Sequence, residues 1–178
     1  MEYKAQLMDE AQIHRTMARL THEIIEKNRG AEGLCLLGIK RRGVPLAYML
    51  QENIRRFEQL EVPVGYIDIT RFRDDRDGGE LPRADADCCI PCKLEDTTVI
   101  LVDDVLHTGR TVRAAIEAIF RQGRPKAIRL AVLIDRGHRE LPFRPDFVGK
   151  NIPTAKNEKV SVKVEGIDGE TGVHLYSL

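Results

Sequence analysis

Residues 99–111 read Val99-Ile100-Leu101-Val102-Asp103-Asp104-Val105-Leu106-His107-Thr108-Gly109-Arg110-Thr111. The first four side chains are all apolar, without the alternation of a strand that has one solvated face, which predicts a central strand of a parallel sheet. Asp103 and Asp104 follow at the predicted end of that strand, and unpaired carboxylates are costly to bury. They therefore need water, cations or hydroxyl groups, and the adjacent 2′- and 3′-hydroxyls of a ribose match two adjacent acceptors.

The second half of this stretch predicts a turn that opens a helix. Gly109 lets the backbone approach an anion without a side-chain clash, and Thr108 and Thr111 add hydroxyl donors. The backbone N–H groups of residues 107–111 would then lie at a helix N-terminus, where phosphates bind readily. A sugar site beside a phosphate site predicts a ribose 5-phosphate group as the ligand. The stretch lacks the Gly-Lys-Ser/Thr ending of a P-loop, which disfavours nucleoside triphosphate hydrolysis.

On either side of this stretch, predicted strands alternate with predicted helices. Apolar residues at helical spacing and turn formers at the ends predict helices at 9–28, 44–57 and 111–122. Apolar runs predict strands at 34–39, 62–70, 98–102 and 127–134, with later strands around 152, 160–164 and 173–176. The alternation predicts an α/β fold, with a mostly parallel central sheet flanked by helices on both faces. A length of 178 residues suits a single domain.

Sheets of this kind bind ligands at the carboxyl ends of their strands, in the loops that follow. Three further loops are therefore of interest. The stretch Lys40-Arg41-Arg42-Gly43 follows a predicted strand, and three consecutive cations at that position suit a diphosphate. The polar segment 71–86 is predicted to be a mobile loop or hairpin, and residues 135–140 form another polar loop after a core strand.

Residues 99–111 resemble the PRPP-binding motif of the type I phosphoribosyltransferases (PRPP is 5-phosphoribosyl 1-diphosphate). The apolar strand, the acidic pair, the Thr-Gly and the final Thr all match. The resemblance implies the type I phosphoribosyltransferase fold over residues 1–178, with a small hood formed mainly by about 138–165. It also implies transfer of a phosphoribosyl group from PRPP with Mg²⁺ as the cofactor.

The same resemblance implies roles for residues outside the motif. The backbone of residues 40–43 would bind the leaving diphosphate, and Arg73 in a flexible loop would reach it. Asp135 would hold Mg²⁺ through water, since hard cations prefer oxygen ligands. Arg136 and the backbone at Val160 would contact the base.

The resemblance extends over nearly the whole chain to family members that use uracil and also regulate pyrimidine operons. The matching stretches are 38–43, 67–70, 135–142, 144–154 and 158–160. They imply uracil phosphoribosyltransferase activity, which forms UMP and diphosphate from uracil and PRPP. They also imply binding of pyrimidine operon leader RNA, strengthened by UMP or UTP, which promotes transcription attenuation. Two alternatives stay open: a purine or orotate phosphoribosyltransferase without an RNA role, and an RNA-binding regulator with negligible catalysis.

The charge of the chain bears on the RNA hypothesis. With 28 basic and 28 acidic residues the net charge is zero, which predicts no general attraction to nucleic acid. An RNA surface must therefore come from a local cluster of cations. The candidates lie on one face of the first helix and in the last third of the chain: Arg15, Arg19, His22, Arg139, Arg144, Lys150 and Lys156. A homo-oligomer, either a dimer or a tetramer, would join these patches.

Hydropathy and cysteine content bear on the compartment. No apolar run reaches the roughly 18 residues that a membrane span needs, and the first ten residues lack a signal-peptide core. We therefore expect a cytoplasmic protein without a membrane partner, in which disulfides are not expected. The cluster formed by Cys88, Cys89 and Cys92 has no second Cys or His pair at zinc-finger spacing. We interpret these thiols as incidental residues of a loop.

Overall fold

The computed structural model of the protein describes residues 1–70 and 88–178, so the expected flexible loop with Arg73 lies outside the described residues. In chain order the elements are β1 (Glu2–Met8), α1 (Glu10–Asn28), β2 (Leu34–Ile39), α2 (Gly43–Glu58), β3 (Val64–Ile67), a 3-10 turn (Leu94–Asp96), β4 (Thr98–Leu106), α3 (Arg110–Gln122), β5 (Ala127–Asp135), β6 (Phe147–Asn151), β7 (Glu158–Lys163), α4 (Glu165–Asp168) and β8 (Gly172–Ser177).

Five parallel strands form the central sheet, in the order β3-β2-β4-β5-β6. Every residue of β2 is buried, because this strand lies inside the sheet and is covered on both faces. Helices α1 and α2 pack Leu20 and Leu50 against one face. Helix α3 packs Ala115 and Ile119 against the other. The predicted α/β fold with helices on both faces is confirmed.

Helix α1 begins and ends at positions that its own sequence specifies. The Asp9 carboxylate accepts a hydrogen bond from the Gln12 backbone N–H at 2.7 Å, and the Gln12 side chain accepts one from the Asp9 N–H at 2.8 Å. This reciprocal pair is a capping box. Arg29 then ends the helix in the left-handed conformation, with φ 59°. The helix predicted at 9–28 is therefore confirmed.

The structure corrects the predicted end of the central strand. We expected Asp103 and Asp104 to follow the strand, but β4 continues through both of them to Leu106. The reason is the neighbouring strand, since β5 pairs with β4 as far as Leu106 opposite Asp135. The acidic pair therefore has the backbone geometry of a strand, and α3 begins only four residues after that strand ends.

The remaining three strands form a separate antiparallel sheet in the order β1-β8-β7. Its apolar side chains, among them Met8, Val162 and Val173, belong to the same buried cluster as α1 and α2. Strand β1 was not predicted. Within the expected hood range of about 138–165, β6 belongs to the central sheet and β7 to the small one. Among the described residues, no helix combines the length and apolar character that crossing a membrane requires.

Candidate active site

The acidic pair lies at the carboxyl end of the central sheet. Asp103 is only 6% exposed. Its carboxylate accepts a hydrogen bond from the Asp104 N–H at 2.9 Å, and the Asp104 carboxylate accepts one from the Val105 N–H at 2.9 Å. Burial and the neighbouring Asp104 charge raise the pKa of Asp103 well above its ordinary value. A ligand that supplied hydroxyl donors or a cation here would relieve this cost.

The turn between β4 and α3 is held in place by a loop that follows β5. Gly109 caps α3 in the left-handed conformation, with φ 94°. The Thr108 carbonyl accepts hydrogen bonds from the backbone N–H groups of Glu140 and Leu141, both at 3.0 Å. The first N–H groups of a helix have no partners within the helix. The start of α3 thus holds backbone donors of the kind that bind anions at a fixed position, only a few residues from Asp104.

The basic loop 40–43 contacts the same end of β4. A Cβ atom on Gly43 would lie 2.3 Å from the Val102 carbonyl oxygen and 3.4 Å from the Asp103 Cα, so only glycine allows this approach. The Lys40–Arg41 peptide bond is cis. The structure therefore brings the predicted diphosphate loop beside the predicted sugar and phosphate site.

Two of the three basic side chains in this loop are paired with acids. Arg42 donates to both oxygens of Asp168 in α4, at 3.1 and 2.6 Å. This pairing lowers the pKa of Asp168 and raises that of Arg42. The Lys40 ammonium lies 3.8 Å from Asp68 and over the Tyr66 ring. The Arg42 and Lys40 side chains are therefore already engaged with protein carboxylates, so a ligand at this loop would depend mainly on backbone donors.

Sequence reasoning missed Asp168. Its carboxylate also accepts a hydrogen bond from the Val164 N–H at 2.9 Å, which ties the last residue of α4 to the residue that precedes the helix. No local pattern distinguishes Asp168 from the acids near it at 165 and 170. Only the approach of α4 to the 40–43 loop identifies this residue.

Asp135 and Arg139 form a network around residues 107–109, the turn predicted to bind phosphate and called the phosphate turn below. The Asp135 carboxylate accepts hydrogen bonds from the Gly137 N–H at 3.0 Å and from Arg139 at 2.5 Å. Arg139 also donates to the His107 carbonyl at 2.8 Å and to the Phe143 carbonyl at 2.9 Å. Arg139, one of the predicted RNA-binding residues, ties two loops together and keeps 23% of its side chain exposed.

Arg136 is buried at the end of β5, with 7% of its surface exposed. It donates to the Thr154 hydroxyl at 3.1 Å and to the Glu158 carbonyl at 2.7 Å. Burial lowers the pKa of Arg136. These bonds hold the segment before β7 against the central sheet, and Val160 is buried in that strand.

An open cavity of about 470 Å³ lies next to this network, a size within the range of small-molecule sites. Its walls come from the loop after β5 and the segment after β6, with Asp135, Arg136 and Thr154 among them. His107 lies nearby, with its ring centre 6.1 Å from that of His138. Burial and the charge of Arg136 lower the pKa of His107.

The donor set can be tested for Mg²⁺. Among residues 1–70 and 88–178, no group of three or more His, Cys, Asp or Glu side chains is arranged to hold a metal ion. Mg²⁺ commonly uses one or two carboxylates together with substrate phosphates and water. The pair Asp103 and Asp104 fits that role. Asp135 fits it less well, because Arg139 and Gly137 already use both of its oxygens.

The structure joins the two basic patches that the sequence left apart. Arg15 and Arg19 of α1 line a second cavity of about 430 Å³ together with Lys150 of β6. Gly149 makes this possible, because a Cβ there would lie 2.8 Å from Thr16 of α1. Arg19 donates to the Gly149 carbonyl at 2.5 Å.

The other candidate cations differ in their surroundings. The His22 ring is exposed and stacks on Phe57 of α2, with 4.2 Å between ring centres. Arg144 and Lys156 are exposed, outside the residues that line the Arg15 cavity.

The sequence matches a known protein family and is similar to proteins of other organisms. The family model of the phosphoribosyl transferase domain matches residues 5–166. The chain is 53% identical over 177 residues to the "Bifunctional protein PyrR" of Thermus aquaticus, which covers 99% of this chain and 97% of that protein. It is 53% identical over 178 residues to the protein of the same name from Clostridium acetobutylicum, with full coverage of both.

Solved structures support the same fold. A hypoxanthine phosphoribosyltransferase of Trypanosoma cruzi superposes with a TM-score of 0.75 at 18% identity, over 98% of this chain and 97% of that chain. One from Staphylococcus aureus gives 0.71 at 17% identity, over 99% and 93%. At such low identity these structures speak for the fold alone.

Proposed function

The chain belongs to the phosphoribosyl transferase family and, within it, to the bifunctional PyrR proteins, and from this premise we propose that it is a uracil phosphoribosyltransferase that also regulates a pyrimidine operon. In the reaction, the bond between the ribose C1′ and the diphosphate breaks, and a uracil nitrogen forms the new bond to C1′. The products are UMP and diphosphate. The second role is UMP- or UTP-dependent binding of leader RNA, which promotes transcription attenuation.

One observation carries the catalytic proposal: the acidic pair, the start of α3 and the basic loop 40–43 meet at one end of the sheet. The carboxylates of Asp103 and Asp104 would accept hydrogen bonds from the ribose hydroxyls. The backbone at 107–111 would hold the 5′-phosphate at the helix N-terminus. Gly43 brings the backbone of its loop beside β4, where it would receive the diphosphate.

The rate enhancement would come from positioning and from stabilising charge. As the C1′ bond breaks, the sugar gains oxocarbenium character, and the carboxylates stabilise the positive charge at close range. By family resemblance Arg73 would reach the diphosphate, and Arg136 and the Val160 backbone would contact the base. Mg²⁺, held by the acidic pair with the substrate oxygens, would neutralise charge on the diphosphate.

A panel of bases tests this proposal against the alternative of a purine or orotate phosphoribosyltransferase. The protein is incubated with PRPP, Mg²⁺ and, in turn, uracil, hypoxanthine, guanine and orotate, and product nucleotides are measured. We expect UMP from uracil at a rate at least about tenfold above any other base, which corresponds to roughly 1.4 kcal/mol of discrimination. Turnover of a purine or of orotate alone would overturn the choice of substrate.

The RNA role rests on a different observation, the meeting of Arg15, Arg19 and Lys150 around one cavity. Phosphate contacts from clustered cations supply most of the non-specific affinity of nucleic-acid-binding proteins. A dimer or tetramer would place several such clusters along one RNA. Titration of leader RNA with and without UMP tests the role: we expect tighter binding with UMP. Equal affinity for leader RNA and for an unrelated RNA, in both conditions, would argue for an enzyme without this role.

A further inference from the structure

The turn that leads into β7, residues 155–158, is closed by a reciprocal pair of hydrogen bonds. The Glu158 N–H donates to the Ala155 carbonyl at 3.1 Å, and the Glu158 carboxylate accepts from the Ala155 N–H at 2.7 Å. The turn begins directly after Thr154, which forms part of the wall of the open cavity of about 470 Å³. Glu158 therefore organises the stretch of chain between that cavity wall and β7.

Glu158 also joins this turn to two elements that are distant in the sequence. Its carbonyl accepts a hydrogen bond at 2.7 Å from Arg136, the buried residue that follows β5. Its carboxylate accepts one at 2.5 Å from the Lys4 ammonium in β1. The Lys4 ammonium and the Ala155 N–H lower the pKa of Glu158, which favours its ionised form. One residue thus receives donors from the end of the central sheet and from the first strand of the chain.

A β-bulge in β1 accompanies the contact with Lys4. The pairing of β1 with β8 shifts its register between Tyr3 and Ala5, so Lys4 is an extra residue on the β1 side. Bulges of this kind re-aim side chains and are common beside active sites. Strand β8 lies between β1 and β7, and the Lys4 side chain spans it to reach Glu158.

We propose that Glu158, held by Lys4, is a positioning residue for the base: it fixes the backbone of β7 to which uracil would bind. This role rests on the proposed function, in which the Val160 backbone contacts the base two residues further along the chain. The sugar and phosphate groups of PRPP would instead bind to β4, to the start of α3 and to the loop 40–43. Loss of the Glu158 side chain should therefore weaken binding of the base and spare binding of the sugar and phosphate.

The competing interpretation of the Lys4–Glu158 pair is a surface salt bridge that acts on stability alone. The Lys4 side chain is 47% exposed, and pairs with such exposure contribute little to the free energy of unfolding. A purely stabilising pair would change the melting temperature but would leave the ratio of affinities for ligands with and without a base unchanged. The two interpretations therefore differ in a measurable quantity.

Titration calorimetry with UMP and with ribose 5-phosphate separates the base from the rest of the ligand. We expect Glu158→Ala to weaken UMP binding by about tenfold, because it removes two charge-assisted hydrogen bonds. Ribose 5-phosphate binding should change by less than about twofold. Lys4→Met should weaken UMP binding by about threefold, because it removes only the partly exposed bond. In steady-state kinetics, both variants should raise the KM for uracil and leave the KM for PRPP unchanged.

The matched control is Glu2→Ala, because Glu2 is exposed and lies opposite Ser177 of β8, as Glu158 does from the other side. It should leave both affinities within about twofold. Lys4→Arg keeps the charge and should retain UMP binding. Unchanged UMP affinity in Glu158→Ala and Lys4→Met, or equal losses for UMP and ribose 5-phosphate, would overturn the positioning role. A wild-type protein that bound both ligands equally would contradict uracil recognition in the proposed function, and the positioning role would fall with it.

Discussion

At the scale of a single residue, Asp103 combines a cost to folding stability with a position suited to binding a ligand. It is almost fully buried beside another carboxylate, which is unfavourable for folding, and it stands where a sugar diol or a cation would bind. Residues at functional sites often reduce stability in this way. The same burial and neighbouring charge raise the pKa of Asp103, which makes the stability of the protein dependent on pH.

We expect Asp103→Asn to stabilise the protein at neutral pH while abolishing PRPP binding. In the unfolded chain the carboxyl releases its proton near its ordinary pKa, but in the folded chain it keeps the proton to a higher pH. Between these two pKa values, the stability of the wild-type protein falls as pH rises. Asparagine does not ionise, so the variant does not lose stability as pH rises through this range.

Melting temperatures of the wild-type protein and Asp103→Asn, measured from pH 4 to pH 8, check this prediction. The difference between them should grow with pH, with about 2–4 °C for each kcal/mol in a chain of this size. A lower melting temperature for Asp103→Asn at pH 8 would show that the carboxylate stabilises the fold.

Gly109 is the residue that shapes the phosphate turn. We expect Gly109→Ala to destabilise the protein by about 1–3 kcal/mol and to weaken PRPP binding. Alanine is disfavoured at φ 94°, and its Cβ would lie 3.0 Å from the Phe143 ring. Gly166→Ala is the matched control, because nothing lies within 4 Å of a Cβ there. Thermal melts and PRPP titration measure both effects, and equal results for the two variants would contradict the prediction.

At the scale of elements, salt bridges hold the active-site loops at fixed positions. Asp168 in α4 ties the 40–43 loop to the segment before β8, and Arg139 ties the phosphate turn to the loop after β5. Neither residue needs to touch a substrate to matter. Each sets the position of backbone groups that we propose to contact the substrate.

We expect Asp168→Asn to raise the KM for PRPP by roughly fivefold, with a smaller change in kcat. Arg42 would lose its carboxylate partner and the 40–43 backbone would become less well positioned. Because the bond is partly exposed, we expect a loss of about 1 kcal/mol rather than the full value of a charged hydrogen bond. Steady-state kinetics measure the effect.

The matched control is Glu165→Gln in the same short helix, which should leave both constants within about twofold. The pH dependence gives a second check. Arg42 lowers the pKa of Asp168. The salt bridge is therefore fully formed above the ordinary pKa of a carboxyl group, and it is lost only as pH falls through the lowered pKa of Asp168. If Asp168→Asn reduced kcat and left KM unchanged, the positioning role would be wrong.

At the scale of the whole molecule, the balanced charge confines any RNA attraction to local clusters of cations. The sequence has no net charge, but folding brings cations of α1 and β6 together. Arg139 is bonded to the turn between β4 and α3. The roles of all seven candidates in RNA binding stay predictions.

We expect the double variant Arg15→Gln, Lys150→Gln to weaken leader RNA binding and to leave UMP formation unchanged. Each lost phosphate contact should reduce the slope of log affinity against log salt by roughly 0.7–0.9. Filter binding at several salt concentrations measures the slope. The control Lys93→Gln, Lys126→Gln removes two exposed cations elsewhere. Equal slopes for the two double variants would place the RNA surface elsewhere.

Sequence reasoning identified elements whose signals are local and missed those whose signals are not. Helix α1 was predicted because its capping box joins residues only three apart. Strand β1 was missed because its partner is β8, at the other end of the chain, and its largely exposed side chains leave no apolar pattern. The continuation of β4 through the acidic pair was missed because pairing with β5 extends it.

The sequence by itself determined the strand, acidic pair, turn and helix of residues 99–111, because apolar runs, glycine conformations and helix starts depend on neighbours a few positions away. Tertiary structure alone decided that Arg42 meets Asp168 and that Arg15 lines one cavity with Lys150. These residues lie on elements distant in the sequence, and they come together only when the chain folds around the parallel sheet.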